Sequence, residues 1–193
     1  MTRSLVFDTE TTGLLLRGAD AWGQPRVVQL AAILLDGGRE VASASLIVRP
    51  DIPIPLEASN IHGITDDVAR AFGVPEKAAV GLFLRLCQVA DLLVAHNADF
   101  DVAVLRGAAE RWGIEWRAPS EVRCTMLATR ALCAIPPTAR MLDAGYADFK
   151  PPSLKEAYRR VCGVELIGAH HAMVDARACS QIYLSLPAET WAA

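Results

Sequence analysis

At 193 residues, 52% of them hydrophobic, the chain is long enough to bury a sizeable core yet near the ordinary size of one domain, so a single domain over residues 1–193 is expected. A net charge of −3 excludes the global basic field carried by many duplex-DNA binders, so any contact with nucleic acid must be local. No apolar run approaches the roughly 18–20 residues of a membrane span; the run Leu30 to Leu35 stops at Asp36.

In chain order, Leu5-Val6-Phe7 leads into Asp8-Thr9-Glu10-Thr11-Thr12-Gly13, a strand running into a turn. Two further apolar runs, Val27 to Leu35 and Val41 to Val48, are joined through Asp36-Gly37-Gly38, a hairpin signal, and together these predict a three-stranded antiparallel meander. Pro50, Pro53 and Pro55 then interrupt the pattern, with short helices expected from Thr65 as N-cap and after Pro75. Val80, Phe83, Leu84 and Cys87 recur at helical spacing within Pro75 to Ala90, and Leu92 to Ala95 reads as a short buried strand. A helix over Asp99 to Trp112 should end at Gly113. Met126 to Cys133 reads as another, followed by an irregular stretch from Pro136 to Pro152 and two closing helices, Ser153 to Cys162 and Ala172 to Leu186. Strands first, then strand and helix mixed, predicts an α/β layered domain with a mixed sheet.

The N-terminus, Met1 to Asp8, has no apolar stretch of the kind a signal peptide carries, so an unexported, cytoplasmic protein without membrane contact is expected. The five cysteines form no CxxC pair and are odd in number, which suggests neither a zinc knuckle nor a disulfide framework. Of the 19 basic residues only Lys77, Lys150 and Lys155 are lysines; the arginines suit bidentate phosphate contacts or reflect genome composition.

Three segments carry acids in patterns that matter for chemistry. Asp8 and Glu10 are two apart at the end of a strand, so their side chains share a face and repel unless a cation or a proton intervenes. A divalent metal is the natural partner, because hard cations such as Mg²⁺ prefer carboxylate oxygen; two solvated acids at a turn would also explain so common a pattern. His96-Asn97-Ala98-Asp99-Phe100-Asp101 sets two acids where a strand gives way to a helix, a place that capping and the helix dipole also favour. His170-His171-Ala172-Met173-Val174-Asp175 begins the last helix with two histidines and an acid, which as isolated residues are equally at home on a polar surface.

Taken together, the three segments resemble the motifs of the DnaQ-like DEDDh 3′→5′ exonuclease family, which includes the proofreading subunit of bacterial DNA polymerase III, RNase T and oligoribonuclease. Phe7 to Gly13 is similar to the first motif, His96 to Asp101 to the second, and His170-x-Ala172-x-x-Asp175 to the third, while Ile61-His62-Gly63-Ile64-Thr65 resembles a further stretch common in the family. The resemblance implies an RNase H-like fold with a mixed five-stranded sheet in the order 3-2-1-4-5, flanked by helices.

It also implies two-metal phosphodiester hydrolysis with Mg²⁺ or Mn²⁺, in which ions about 3.5–4 Å apart clamp the attacking and leaving oxygens. Asp8 would bridge both ions, Glu10 and Asp175 would bind the one that activates water, and Asp101 would hold the other. His170 is the family-matched base; if the helix began at His171, that residue and Asp175 would instead form an i,i+4 pair. Leu14 and Ile61 correspond to residues that wedge or stack beside the terminal base. Thr9, Gly13, His62, Asn97 and Phe100 complete the expected substrate contacts. The loops Leu15 to Gln24, with Trp22, and Pro136 to Pro152, with Arg140, Tyr146 and Lys150, are further places where substrate choice would reside.

The expected substrates are 3′ ends of single-stranded or unpaired DNA, with RNA trimming as the alternative, since one 2′-hydroxyl contact separates the two. A non-catalytic nucleic-acid-binding subunit would have lost an acid, and none is missing. Polymerase or repair partners and a homodimer remain open; only Ala176 to Ala193 follow the last acid, whereas the resemblance implies that polymerase docking uses an extension there.

Overall fold

The computed structural model describes residues 2–191. β1 (Arg3–Thr11), β2 (Val27–Asp36) and β3 (Arg39–Arg49) form the antiparallel meander. β2 is buried along all but its last residue, which explains its unbroken apolar run: layers cover it on both faces. The β2–β3 connection is a two-residue turn closed by Asp36 opposite Arg39. Its central residues, Gly37 (φ 56°) and Gly38 (φ 86°), both take the left-handed backbone that this turn requires and that glycine adopts without steric cost.

After the prolines come α1 (Leu56–His62), α2 (Asp66–Phe72), β4 (Val74–Pro75) and α3 (Glu76–Cys87). Thr65 caps α2 as expected, its hydroxyl accepting the Val68 N–H at 3.3 Å. α1 was not foreseen: it starts behind Pro55 without a side-chain cap and exposes Leu56 and Ile61, so neither a cap nor an apolar stripe marks it. Next follow β5 (Leu92–Ala95), α4 (Ala98–Arg111), β6 (Val122–Cys124), α5 (Thr125–Cys133) and α6 (Ala139–Asp143). The chain closes with α7 (Leu154–Cys162), α8 (Ala172–Ser185) and a short 3-10 turn, Ala188–Trp191. The stretch Pro136 to Pro152 is therefore not wholly irregular, because Thr138 caps a single turn of helix within it. Gly113, at φ 63°, stands just past α4 as the sequence predicts.

The sheet runs β4-β3-β2-β1-β5-β6. Its five longer strands reproduce the expected 3-2-1-4-5 order, and the two-residue β4 extends the edge beside β3. Alternation along β1 divides the layers. Leu5 and Phe7 join Leu93 and Ala95 beneath α3 and α4, whereas Val6 joins Ala31, Ile33 and Val94 beneath Ala172, Ala176 and Cys179 of α8. Small side chains let α8 lie close on the sheet. Asp8 and Glu10 continue the parity of Val6, which turns them toward α8.

A buried ion pair fixes where β2 begins. Glu76, at the start of α3, accepts the Val27 N–H at 2.9 Å, the Trp112 Nε1–H at 2.8 Å and the Arg111 guanidinium at 3.1 Å, and Arg111 also donates to the Ala21 carbonyl. Both charged groups are fully enclosed, so removing either partner would leave the other uncompensated, at a cost of about 3–5 kcal/mol. Among the described residues no helix is long and apolar enough to cross a membrane.

Candidate active site

Four carboxylates converge on the C-terminal end of β1. Asp8 stands opposite Ala31 and Glu10 opposite Gln29 in β2, and the pairing slips between Glu10 and Thr11, where the regular strand ends. Thr9, on the other face, reaches α4: its N–H (2.9 Å) and hydroxyl (2.7 Å) both donate to Oδ1 of Asp101. The two acids of that helix start have different fates. Asp99 is exposed, whereas Asp101 is buried and takes no part in capping, since the N-cap residue is Asn97 and makes no side-chain cap bond.

The third segment separates its two histidines. α8 begins at Ala172 with His171 as N-cap residue, and the His171 carbonyl accepts the N–H groups of Val174 and Asp175. His171 Nε2 lies 3.3 Å from the side-chain nitrogen of Gln29. His170 takes a left-handed backbone (φ 70°) and donates its N–H to Asp175 Oδ2 at 2.9 Å. One ligand atom each from Glu10, His170 and Asp175 lies within 4.8 Å of the others. Because α8 starts at Ala172, His171 stands just outside the helix, and among the described residues no side-chain hydrogen bond or salt bridge joins it to Asp175.

Electrostatics mark this cluster as strained without a cation. Burial first, then the charges of Asp101, Asp175 and Glu10, hold Asp8 well above the usual carboxylate range. Burial, with Asp175 and Asp101 adding, pushes Glu10 to about 7. Asp101 is also pushed to about 7 by burial, against the Thr9 hydrogen bonds that favour its charged form. Burial raises Asp175 too, opposed first by the His170 N–H and then by the proximity of His170, Lys155 and His171. No lysine or arginine forms an ion pair with any of the four among the described residues. Asp175 Oδ1 is buried with no hydrogen-bond partner. An orphaned carboxylate oxygen amid mutually repelling oxygen donors is what a hard divalent cation fits.

Beside the acids lies an open cavity of about 350 Å³, with Leu14, Ile61, His62 and Phe100 in its wall together with Thr9, Glu10 and Gly13. Leu14 and Ile61 are 79% and 59% exposed, so neither is core. His62 accepts the Ile64 N–H at Nδ1, which leaves Nε2 as the protonated nitrogen, buried near the Thr11 backbone; burial lowers its pKa and the Thr11 backbone opposes that. Asn97 lies outside this wall; in left-handed backbone (φ 67°), its carbonyl accepts the Phe100 N–H. The tie from Thr9 to Asp101 and the placement of Gln29 were not foreseen, since both depend on partners about ninety or more positions away.

The same architecture is found in E. coli exonuclease I in complex with a dT13 oligonucleotide, with a TM-score of 0.74 at 24% identity over 95% of this chain and 40% of that one. At that identity the likeness defines the fold, an RNase H-like exonuclease architecture. Sequence goes further. Residues 5–183 match the RNase T exonuclease family model, and the chain belongs to the DnaQ-like exonuclease family. It is similar to an uncharacterized exonuclease of Escherichia phage 186 (31% identical, 90% of this chain, 82% of the relative). It is also similar to a putative bifunctional exonuclease/endonuclease of Mycobacterium tuberculosis (32% identical, 96% of this chain) and to the DNA polymerase III subunit epsilon of Pasteurella multocida (26% identical, 96% of this chain, 68% of the relative). The chain spans 26% of the mycobacterial protein's length.

Proposed function

We propose that the chain is a 3′→5′ exonuclease that removes nucleoside 5′-monophosphates one at a time from the 3′ ends of single-stranded or unpaired DNA. The observation that carries this reading is the meeting of Asp8, Glu10, Asp101, Asp175 and His170 beside a cavity with exposed apolar walls. In this reading Asp8, Glu10, Asp101 and Asp175 would hold two divalent cations, Mg²⁺ or Mn²⁺. Such a pair, when bound, stabilises negative charge on the attacking and leaving oxygens of the phosphodiester.

The chain's own groups do the rest. Leu14, Ile61 and Phe100 hold the terminal nucleotide by apolar contact that is indifferent to base identity. Thr9 fixes the Asp101 carboxylate by two donors. A ring nitrogen of His170 accepts a proton from the attacking water. The water oxygen bonds to phosphorus, the bond from phosphorus to the 3′ oxygen of the preceding nucleotide breaks, and a proton goes to that oxygen. DNA is favoured over RNA because relatives are named for DNA polymerase III and the structural neighbour binds dT13. Action in the cytoplasm, beside a polymerase or another repair protein, belongs to the same reading.

Digestion of 5′-labelled single-stranded DNA and RNA by wild type and Asp8→Ala, in Mg²⁺, Mn²⁺ or EDTA, tests it. The expected result is a metal-dependent ladder shortening from the 3′ end of DNA, absent in the variant. Shortening of RNA alone would reassign the substrate, and shortening of neither polymer would overturn the reaction.

A further inference from the structure

Gln29 joins the strand that faces Glu10 to the helix that carries Asp175. It lies on β2 opposite Glu10, and it is 4% exposed. Its Oε1 accepts the N–H of Ala172, the first residue of α8, at 2.9 Å. The first N–H groups of a helix have no partner within it and are ordinarily met by the N-cap side chain. Here the N-cap side chain, that of His171, makes no such bond, and a residue 143 positions earlier supplies the acceptor.

The orientation of the Gln29 amide follows from donor and acceptor logic. Ala172 N–H needs an acceptor, so Oε1 must face it, and the amide nitrogen, 3.3 Å from His171 Nε2, must then donate to a ring nitrogen carrying a lone pair. Both residues that follow His170 are thereby gripped from β2. His170 itself holds φ 70°, a backbone a non-glycine residue adopts at a cost and keeps only when its surroundings impose it.

We propose that Gln29 is a positioning residue: by capping α8 from the neighbouring strand it sets the left-handed turn at His170, and with it the placing of His170 and Asp175 against Glu10. Its consequence for turnover rests on the exonuclease reading above; its consequences for the helix start and for cation binding do not.

The test compares Gln29→Leu, which has no acceptor, with Gln29→Glu, which keeps one for Ala172 N–H. Three quantities are read at a temperature where each protein is folded: amide hydrogen exchange at His170 and Ala172, Mn²⁺ affinity by calorimetry, and kcat and KM on a single-stranded oligonucleotide. For Gln29→Leu the expectation is exchange faster by about tenfold or more, with Mn²⁺ affinity and kcat each lower by roughly 10–100-fold and KM for the oligonucleotide little changed. Gln29→Glu should recover the slow exchange at Ala172, because that bond needs only an acceptor. Unchanged Mn²⁺ affinity and kcat beside faster exchange would reduce Gln29 to a structural cap and overturn the proposal, as would exchange at Ala172 as fast in the glutamate variant as in the leucine one. If Gln29→Leu does not fold, Gln29→Asn, too short to reach, takes its place. Absence of nuclease activity in the wild type would sink the functional reading, while exchange and Mn²⁺ affinity would still decide the role of Gln29.

Discussion

Thr9 and Asp101 meet twice at a single oxygen, the Thr9 amide at 2.9 Å and its hydroxyl at 2.7 Å both ending on Oδ1 of the carboxylate. Two donors on one oxygen orient the group and favour its charged form against the burial that opposes it. The strand carrying Asp8 and Glu10 thus also sets the third acid, from the helix on the opposite layer.

Thr9→Val keeps the shape of the side chain and the backbone bond but removes the hydroxyl. Hydrogen bonds to charged groups contribute about 1.5–3 kcal/mol, so cleavage should fall by roughly 10–100-fold, with a higher Mg²⁺ concentration needed for half-maximal rate. A magnesium titration of the initial rate on a single-stranded oligonucleotide reads both. Unaltered magnesium dependence would mean that Asp101 is held well enough by the Thr9 amide alone.

Leu14 and Ile61 stand in the cavity wall yet remain largely exposed, so they contribute little to stability. Leu14→Ala and Ile61→Ala should each leave the melting temperature within a degree or two of wild type while weakening oligonucleotide binding. Base stacking contributes about 1–3 kcal/mol per base, so a loss near tenfold is expected from either. Fluorescence anisotropy with a labelled single strand in Ca²⁺ would show it, and full affinity in the double variant would move the terminal base elsewhere.

How far the sequence reveals this site depends on the range of the interaction. The meander, the glycine turn at Gly37 and Gly38, the Thr65 cap and the helix ending at Gly113 are local, and each follows from residues within a few positions of one another. Asp8 and Glu10 share a face by strand period alone. Helical period places Asp101 rather than Asp99 on the buried face, with Ala98, Val104, Leu105 and Ala108, but that Thr9, far away in sequence, is what holds its carboxylate follows from no spacing rule. β6 escaped because three residues, Val122-Arg123-Cys124, carry too little alternation to read, and pairing with β5 is what makes them a strand. The Glu76–Arg111 pair was hidden for the same reason, since two charges 35 positions apart look like surface until the fold encloses them.

His96 gives the stability a pH dependence of known sign. Its Nε2 lies 3.1 Å from the Pro152 carbonyl, which can only accept, so Nε2 carries the proton and Nδ1 accepts from the Thr125 hydroxyl at 2.9 Å. Burial lowers its pKa from 6.5 to about 4, despite the Pro152 carbonyl favouring the charged ring. Between those values the unfolded chain binds the proton and the folded one does not, so this residue's contribution is lost as pH falls from 6.5 toward 4, by at most about 3 kcal/mol. Denaturant unfolding of wild type and His96→Gln at pH 7 and pH 4.5 isolates it, because the acids cancel in the difference. A wild-type-minus-variant difference that is the same at both pH values would show that the ring titrates normally.

Asp8 should be a residue whose removal stabilises the metal-free protein and abolishes its chemistry. Burial, then the charges of Asp101, Asp175 and Glu10, make its ionised form costly in the folded state. Glu10 and Asp101, both pushed to about 7, share that penalty. An acid whose folded pKa lies above its unfolded value leaves the folded state holding the extra proton between the two, so stability in EDTA should decline as pH rises from about 4.5 through 7. Asp8→Asn removes one of these charges at constant shape. In EDTA at pH 8 its melting temperature should exceed wild type by about 3–8 °C, on the scale of 2–4 °C per kcal/mol for a chain of this size. Saturating Mn²⁺ should reverse the ranking, since a ligand at a hundred times its dissociation constant adds about 2.7 kcal/mol to whichever protein binds it. Calorimetric scans of both proteins with and without Mn²⁺ decide the matter. A variant less stable than wild type in EDTA would mean that the four acids already relieve one another by sharing protons, and the need for a cation would then have to be argued from turnover alone.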